Sequence, residues 1–123
     1  MAEGDVTSGE RGSGARYNDG KVPMELVPME ALEDIARVFG YGARKYASWN
    51  WAKGMKHSVP YACAMRHLAA WQRGEELDPE SGLPHLAHVG CNILMLLHFA
   101  RYCPDMDDRP RELSAAFHDG GGQ

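Results

Sequence analysis

Three polar residues, His85, His88 and Asn92, lie inside PHLAHVGCNILMLL, the most apolar text of the chain. At 3.6 residues per turn they fall within about 60° of one another, so on a helix they form one stripe. A buried imidazole or amide is costly unless it is hydrogen-bonded or ligating. Directly upstream, GEELDPESG carries Glu75, Glu76, Asp78 and Glu80, and its shortness must hold these carboxylates near the start of that helix. His67 lies eight positions before Glu75, nearly on one helical face, with Trp71 between them. Carboxylates beside imidazoles are oxygen and nitrogen ligands for a divalent ion. Glu75, Asp78, His67, His85 and His88 are therefore expected at a metal site. The plainer alternative is a solvated acidic loop followed by polar groups that are satisfied one by one.

A second constellation suits a phosphorylated, ring-bearing substrate. YGARKY (41–46) and Asn50-Trp51 bring Arg44, Lys45, an amide and several aromatics close together in the chain. Arg and Lys neutralise phosphate oxygens, and an indole face can stack on a base. Lys21, in NDGK, is a further cation. Taken singly, each cation reads equally as an ordinary surface charge and each tryptophan as core packing. The zinc-protease string His-Glu-x-x-His is missing, because the histidines of the stripe stand three apart without the glutamate. His118-Asp119 sits in polar text and gives no phosphohydrolase signature.

The elements that must position these residues are helices. Met29, Leu32, Ile35, Ala36 and Phe39 share one face of a helix from Pro28 to about Tyr46, with Gly40 and Gly42 as possible bends. Tyr61, Ala64, Met65 and Leu68 mark a second helix from Val59 to about Arg73, stopped by Gly74. The third runs from about Pro84 to Tyr102, with proline where a first turn tolerates it. ASWNWAKGMKHS (47–58) reads as a loop, and PRELSAAFH (110–118) as a short terminal helix. No stretch alternates with period two, so no sheet is expected. The third helix is apolar almost all round, so the expected fold is an all-α bundle of three main helices completed by oligomerisation, as a dimer or tetramer. Residues 1–15 are Gly-, Ser- and charge-rich and read as a disordered tail, residues 16–103 as one domain, and 104–123 as a C-terminal tail.

Bulk properties narrow the function further. The net charge is −4, which offers no basic surface for nucleic acid, so a polyanionic ligand needs metal ions or a local cationic patch. The opening MAEGDVTSGERGSGAR lacks the apolar segment of a secretory signal. The longest apolar run, Ile93–Leu97, is far short of the roughly 20 residues of a membrane span. Cys63, Cys91 and Cys103 are odd in number and widely spaced, which points to a reducing, cytoplasmic setting without disulfides.

RYNDGK (16–21), ALEDIARVFGYGARKY (31–46), NW (50–51), RHLAAWQRGEELDPESGLPHLAH (66–88) and CN (91–92) together resemble the phage dATP/dGTP pyrophosphohydrolases, a branch of the MazG-like all-α NTP pyrophosphatases. The resemblance covers roughly residues 16–100, and the long middle block is unusual in composition. It implies a helical, oligomeric enzyme that uses Mg²⁺ or Mn²⁺ to hydrolyse a purine deoxynucleoside triphosphate, dGTP or dATP, to the monophosphate and pyrophosphate. In phages that replace adenine with 2-aminoadenine, such an enzyme supplies dGMP, and the host cytoplasm would be its setting. The wider superfamily binds metal through Glu-x-x-Glu and a later Glu-x-x-Asp. Here Glu30-x-x-Glu33 and Glu75-x-x-Asp78 match those strings, while His85-x-x-His88 occupies the comparable helical position. Either the ligand set has moved into the loop or histidines replace some carboxylates.

On that reading Glu33, Glu75 and Asp78 are the leading metal and catalytic carboxylates, and Glu30, His67, His85 and His88 are further ligands or their supports. Lys21, Arg44 and Lys45 would hold phosphates, and Asn50, Trp51 and Asn92 would contact sugar or base. Two divalent ions or more would screen a tetra-anionic triphosphate from the carboxylates and stabilise the leaving pyrophosphate. Two rival readings stand beside it: a metal-dependent phosphohydrolase releasing single phosphates, and a non-catalytic nucleotide-binding module.

Overall fold

The computed structural model describes residues 20–111. The expected tail at 1–15 and most of the expected terminal helix at 110–118 lie outside the described residues. Among those described, three long helices account for the architecture: α1 (Met29–Lys45), α2 (Ser58–Gln72) and α3 (His85–Tyr102). Short 3₁₀ turns cover Met24–Leu26, Asn50–Lys53 and Pro104–Met106. Each long helix falls within two residues of its sequence expectation. No strand occurs among the described residues; one isolated antiparallel bridge pairs Leu77 with Pro84.

α3 is the central element, with α2 along one side and α1 along another. Val38 of α1 packs with Ala87 and Cys91 of α3, and Ile35, Phe39, Leu83 and Met95 close around them. Gly90 permits this approach: a Cβ at that position would come within 2.5 Å of Ile35 Cδ1 and 2.8 Å of its Cγ1. The two glycines of α1, which could have bent it, lie within an unbroken helix. Phe99 is fully buried near the far end of α3, and burying such a side chain is worth about 1.5–3 kcal/mol.

α2 ends in a Schellman arrangement that sets up the loop behind it. Gly74 takes φ +100°, which a residue with a Cβ rarely adopts. Its N–H donates to Trp71 O at 2.9 Å, and that of Glu75 to Ala70 O at 3.1 Å. Glu75 is therefore just beyond α2 rather than on its face, and Trp71 is exposed.

The apolar girth expected of α3 is present. Leu86, Ile93 and Leu97 stay exposed on its outer side, and Tyr61, Met65 and Leu68 stay exposed on α2.

Candidate functional site

The loop between α2 and α3 is folded by its own backbone and short polar side chains. Asp78 N–H donates to Leu83 O at 2.8 Å, and Gly82 N–H to Asp78 O at 2.7 Å. Ser81 N–H donates to Asp78 Oδ2 at 3.0 Å, while Leu83 N–H donates to Ser81 Oγ at 3.2 Å. These are the local turns that Asp and Ser favour. The first N–H of α3, that of His85, has no partner within the helix and donates to Glu76 O at 2.9 Å. The loop is thereby fastened to the head of α3, with Glu75 and Asp78 beside the histidine stripe.

The stripe is nearly buried: His85 is 3%, His88 7% and Asn92 8% exposed. His85 Nε2 lies 2.7 Å from Glu75 Oε1, and His85 Nδ1 lies 2.8 Å from Nδ1 of His67 on α2. The carboxylate can only accept, so His85 donates from Nε2. In the neutral ring Nδ1 then accepts the proton of His67 Nδ1. This Glu75–His85–His67 chain leaves the lone pair of His67 on Nε2. His88 stacks on His67 with ring centres 4.2 Å apart and planes 8° from parallel. Its Nε2 lies 2.7 Å from Ser81 Oγ and 3.6 Å from Asp78 Oδ2.

Electrostatics favour the neutral forms of His67 and His88 and the ionised form of Asp78. Burial lowers the pKa of His67, and the neighbouring His88 lowers it further. Burial also lowers that of His88, against an opposing pull from Asp78. Burial pushes Asp78 upward, but the hydroxyl and N–H of Ser81 together with His88 hold it below its ordinary value. Neutral imidazoles and an ionised carboxylate are the protonation states that metal ligands require.

His67, Asp78 and His85 each offer one ligand atom, and the three atoms lie within 4.8 Å of one another. Two imidazole nitrogens with one carboxylate oxygen make a chemically suitable donor set for a divalent ion. For His67 and His85 both to bind through Nδ1, the hydrogen bond between them must open, so ion binding and that bond are alternatives. With an ion bound, Glu75 would be the carboxylate that orients a ligating imidazole.

A cleft of about 780 Å³ runs from this cluster between α1, the 47–55 connection, α2 and α3. At one end are His67, Asp78, Glu80 and His88; at the other are Phe39, Trp51, Met55 and Met95. Lys45, Asn50 and Asn92 also line it. Trp51 is held edge-on to His98 at 4.9 Å and tilted against Phe39 at 5.4 Å. The connection reaches that position through Trp49, whose φ of 63° is left-handed, and Gly54, with φ 98°. At the rim, Glu80 accepts from the Tyr41 hydroxyl and, at 2.9 Å, from Lys45 Nζ.

Several expected residues stand apart from this cleft. Glu30 and Glu33 are exposed on the first turns of α1, line no part of it and make no side-chain hydrogen bond among the described residues. Lys21 and Arg44 are exposed and do not line it either. Glu75, which is exposed, and His85, which is buried, do not line it and connect to it through the hydrogen bond of His85 to His67. Tyr41, Glu80 and Ser81 carry site contacts that were not assigned from sequence. Ser81 had a legible signal, since Asp78-Pro-Glu-Ser-Gly is a turn string with a hydroxyl near its carboxylate. Tyr41 had none, because its partner is 39 positions away.

The family model described as dATP/dGTP diphosphohydrolase, N-terminal, matches residues 11–109. A dATP/dGTP diphosphohydrolase of Salmonella phage PMBT28 is 30% identical over 97 residues, which are 79% of this chain. The match spans only 33% of that relative's length. No solved structure matches the chain. The matched region contains all three helices that line the cleft, the aromatic connection and the whole histidine–carboxylate cluster, and the chain belongs to the dATP/dGTP diphosphohydrolase N-terminal family.

Proposed function

We propose that the protein is a metal-dependent nucleoside triphosphate pyrophosphohydrolase acting on dGTP, dATP or both. The observation that carries this reading is the convergence of His67, Asp78 and His85, of which His67 and Asp78 line one end of a cleft whose other end is aromatic. Hydrolysis would break the anhydride bond between the α- and β-phosphates. The water oxygen would end on one product, and dNMP and pyrophosphate would leave. A bound divalent ion supplies Lewis-acid neutralisation of phosphate charge. His67, Asp78 and His85 would hold it, with Glu75 fixing the orientation of His85. Lys45 would exchange Glu80 for a phosphate oxygen, and Trp51 would stack on the base with Asn50 near it. The two-nitrogen, one-oxygen donor set favours Mn²⁺ over Mg²⁺, since magnesium prefers oxygen ligands throughout.

Lys21 and Arg44 remain proposed phosphate contacts from their charge, and Glu30 and Glu33 proposed supplementary carboxylates from the family resemblance. A second copy covering the exposed apolar side of α2 and α3 would complete the bundle, and release of dGMP would suit a phage that builds 2-aminoadenine into its DNA. Purified protein with Mn²⁺ should release pyrophosphate from dGTP or dATP. Orthophosphate as the first product would favour a single-phosphate hydrolase. Nucleotide binding without turnover, in folded and metal-loaded protein, would leave a binding module.

A further inference from the structure

Asn92 is the one polar residue of the α3 stripe whose orientation is fixed by a single bond. Its Nδ2 donates to His88 O at 2.8 Å. A carbonyl only accepts, so the amide nitrogen must face the backbone and Oδ1 must face away from it. Among the described residues no donor reaches Oδ1, and no side-chain nitrogen or oxygen is both buried and unpartnered. Asn92 lines the cleft although only 8% of it is exposed. The atom it presents there is therefore a bare hydrogen-bond acceptor on a rigid helix.

Position along α3 indicates what meets that acceptor. His88, beside the proposed metal and phosphate end, lies four residues earlier, about 6 Å along the helix axis. His98 and Phe99, which hold Trp51, lie six and seven residues later, about 9–10 Å along the axis. A nucleotide is ordered phosphate, sugar, base, so the level of Asn92 falls to the sugar. A deoxyribose offers one hydroxyl donor when its 5′-oxygen is esterified, the 3′-hydroxyl.

Resting on the proposed nucleotide reading, we infer that Asn92 Oδ1 accepts the 3′-hydroxyl of the deoxyribose and thereby selects substrates that carry it. The base is recognised elsewhere, by the aromatic end of the cleft. Removing the acceptor should weaken only substrates that own the donor.

The test compares dGTP with 2′,3′-dideoxy-GTP on wild type, Asn92→Ala and Asn92→Leu. Wild type should favour dGTP in kcat/KM by about tenfold, the size of one hydrogen bond. Both variants should lower dGTP toward the dideoxy value and leave the dideoxy substrate within about twofold, a change smaller than that one bond. Binding of dGMP and dideoxy-GMP, followed by tryptophan fluorescence without metal, should show the same pattern. Absence of turnover with every nucleotide would overturn the hydrolase reading, and the binding arm would still decide the role of Asn92. Equal handling of the two sugars by wild type would overturn the inference. So would equal losses on both substrates in a variant that melts like wild type.

Discussion

Two histidine–carboxylate clusters flank α3, and they teach opposite lessons. At its head, His85 and His88 meet His67, Glu75 and Asp78 beside the large cleft. At its tail, His57 is stacked on Phe99 at 5.8 Å and donates from Nε2 to Cys103 O at 3.0 Å. Asp107 lies 3.9 Å from His57 Nδ1, but its carboxylate is taken by Arg109, through Nε at 2.9 Å and a terminal nitrogen at 2.7 Å, and by Arg111. Hydrogen bonds from Arg109 drive its pKa well below the ordinary carboxylate value. Asp108 accepts the N–H of Ser58 at 2.8 Å together with its hydroxyl, which fastens the first turn of α2. The tail cluster consumes its carboxylates in guanidinium and backbone bonds. The head cluster leaves His67 Nε2 and Asp78 unclaimed by any cation of fixed charge. Proximity of His to Asp is thus common to both, and unspent ligand atoms distinguish them.

The largest expected effect comes from spending or removing those atoms. His67→Ala and Asp78→Ala should each lower kcat/KM by two orders of magnitude or more, with helical circular dichroism unchanged. Retention of full rate by both variants would rule out the proposed metal site. Glu75→Gln, which keeps the shape but removes the charge that orients His85, should cost roughly 10–100-fold and weaken Mn²⁺ binding in a titration. At the tail, Asp108→Ala should lower the melting temperature by a few degrees and leave kcat/KM as it was. A catalytic loss without a thermal one would erase the distinction between the clusters.

Backbone tests come next in size. Gly54→Ala would strain a residue at φ 98° and bring its Cβ to 2.9 Å from Met106 Sδ and 3.0 Å from Cys103 Sγ. Chemical denaturation should show a loss of about 1–3 kcal/mol. Gly90→Ala, pressing on Ile35, should cost a similar amount by separating α1 from α3.

The smallest effect is in pH. His67 and His88 have lowered folded values, so the unfolded chain binds protons first. Metal-free protein should therefore lose stability as pH falls through about 6.5, the ordinary histidine value. Asp78 adds a contribution present above its unfolded value and lost only in stronger acid, as pH falls through its lowered folded value. A melting temperature that is flat between pH 8 and 5.5 (about the span of a histidine titration) would contradict the neutral-imidazole description.

Much of this was legible locally. Helix periodicity placed all three long helices, because the apolar stripes of α1 and α2 repeat at helical spacing and Gly74 and Pro84 mark ends with local backbone causes. The stripe of His85, His88 and Asn92 was also visible, since residues on one helix turn are neighbours by construction. The strings Glu30-x-x-Glu33 and Glu75-x-x-Asp78 looked equivalent in one dimension, yet only the second stands beside the histidines. His67 and Glu75 read as sharing one helix face with Trp71 between them, but the Schellman turn interrupts that face and they communicate through His85.

By itself, then, the sequence determined the helices, their ends and the chemical character of the loop before α3, because each depends on interactions within a few residues. Which side chains share protons, which carboxylates are already spent and where the aromatic wall stands depend on contacts between residues such as Tyr41 and Glu80 or His67 and His85. Those contacts exist only once α1 and α2 have packed on α3. Packing of side chains decides them, and no spacing along the chain encodes it.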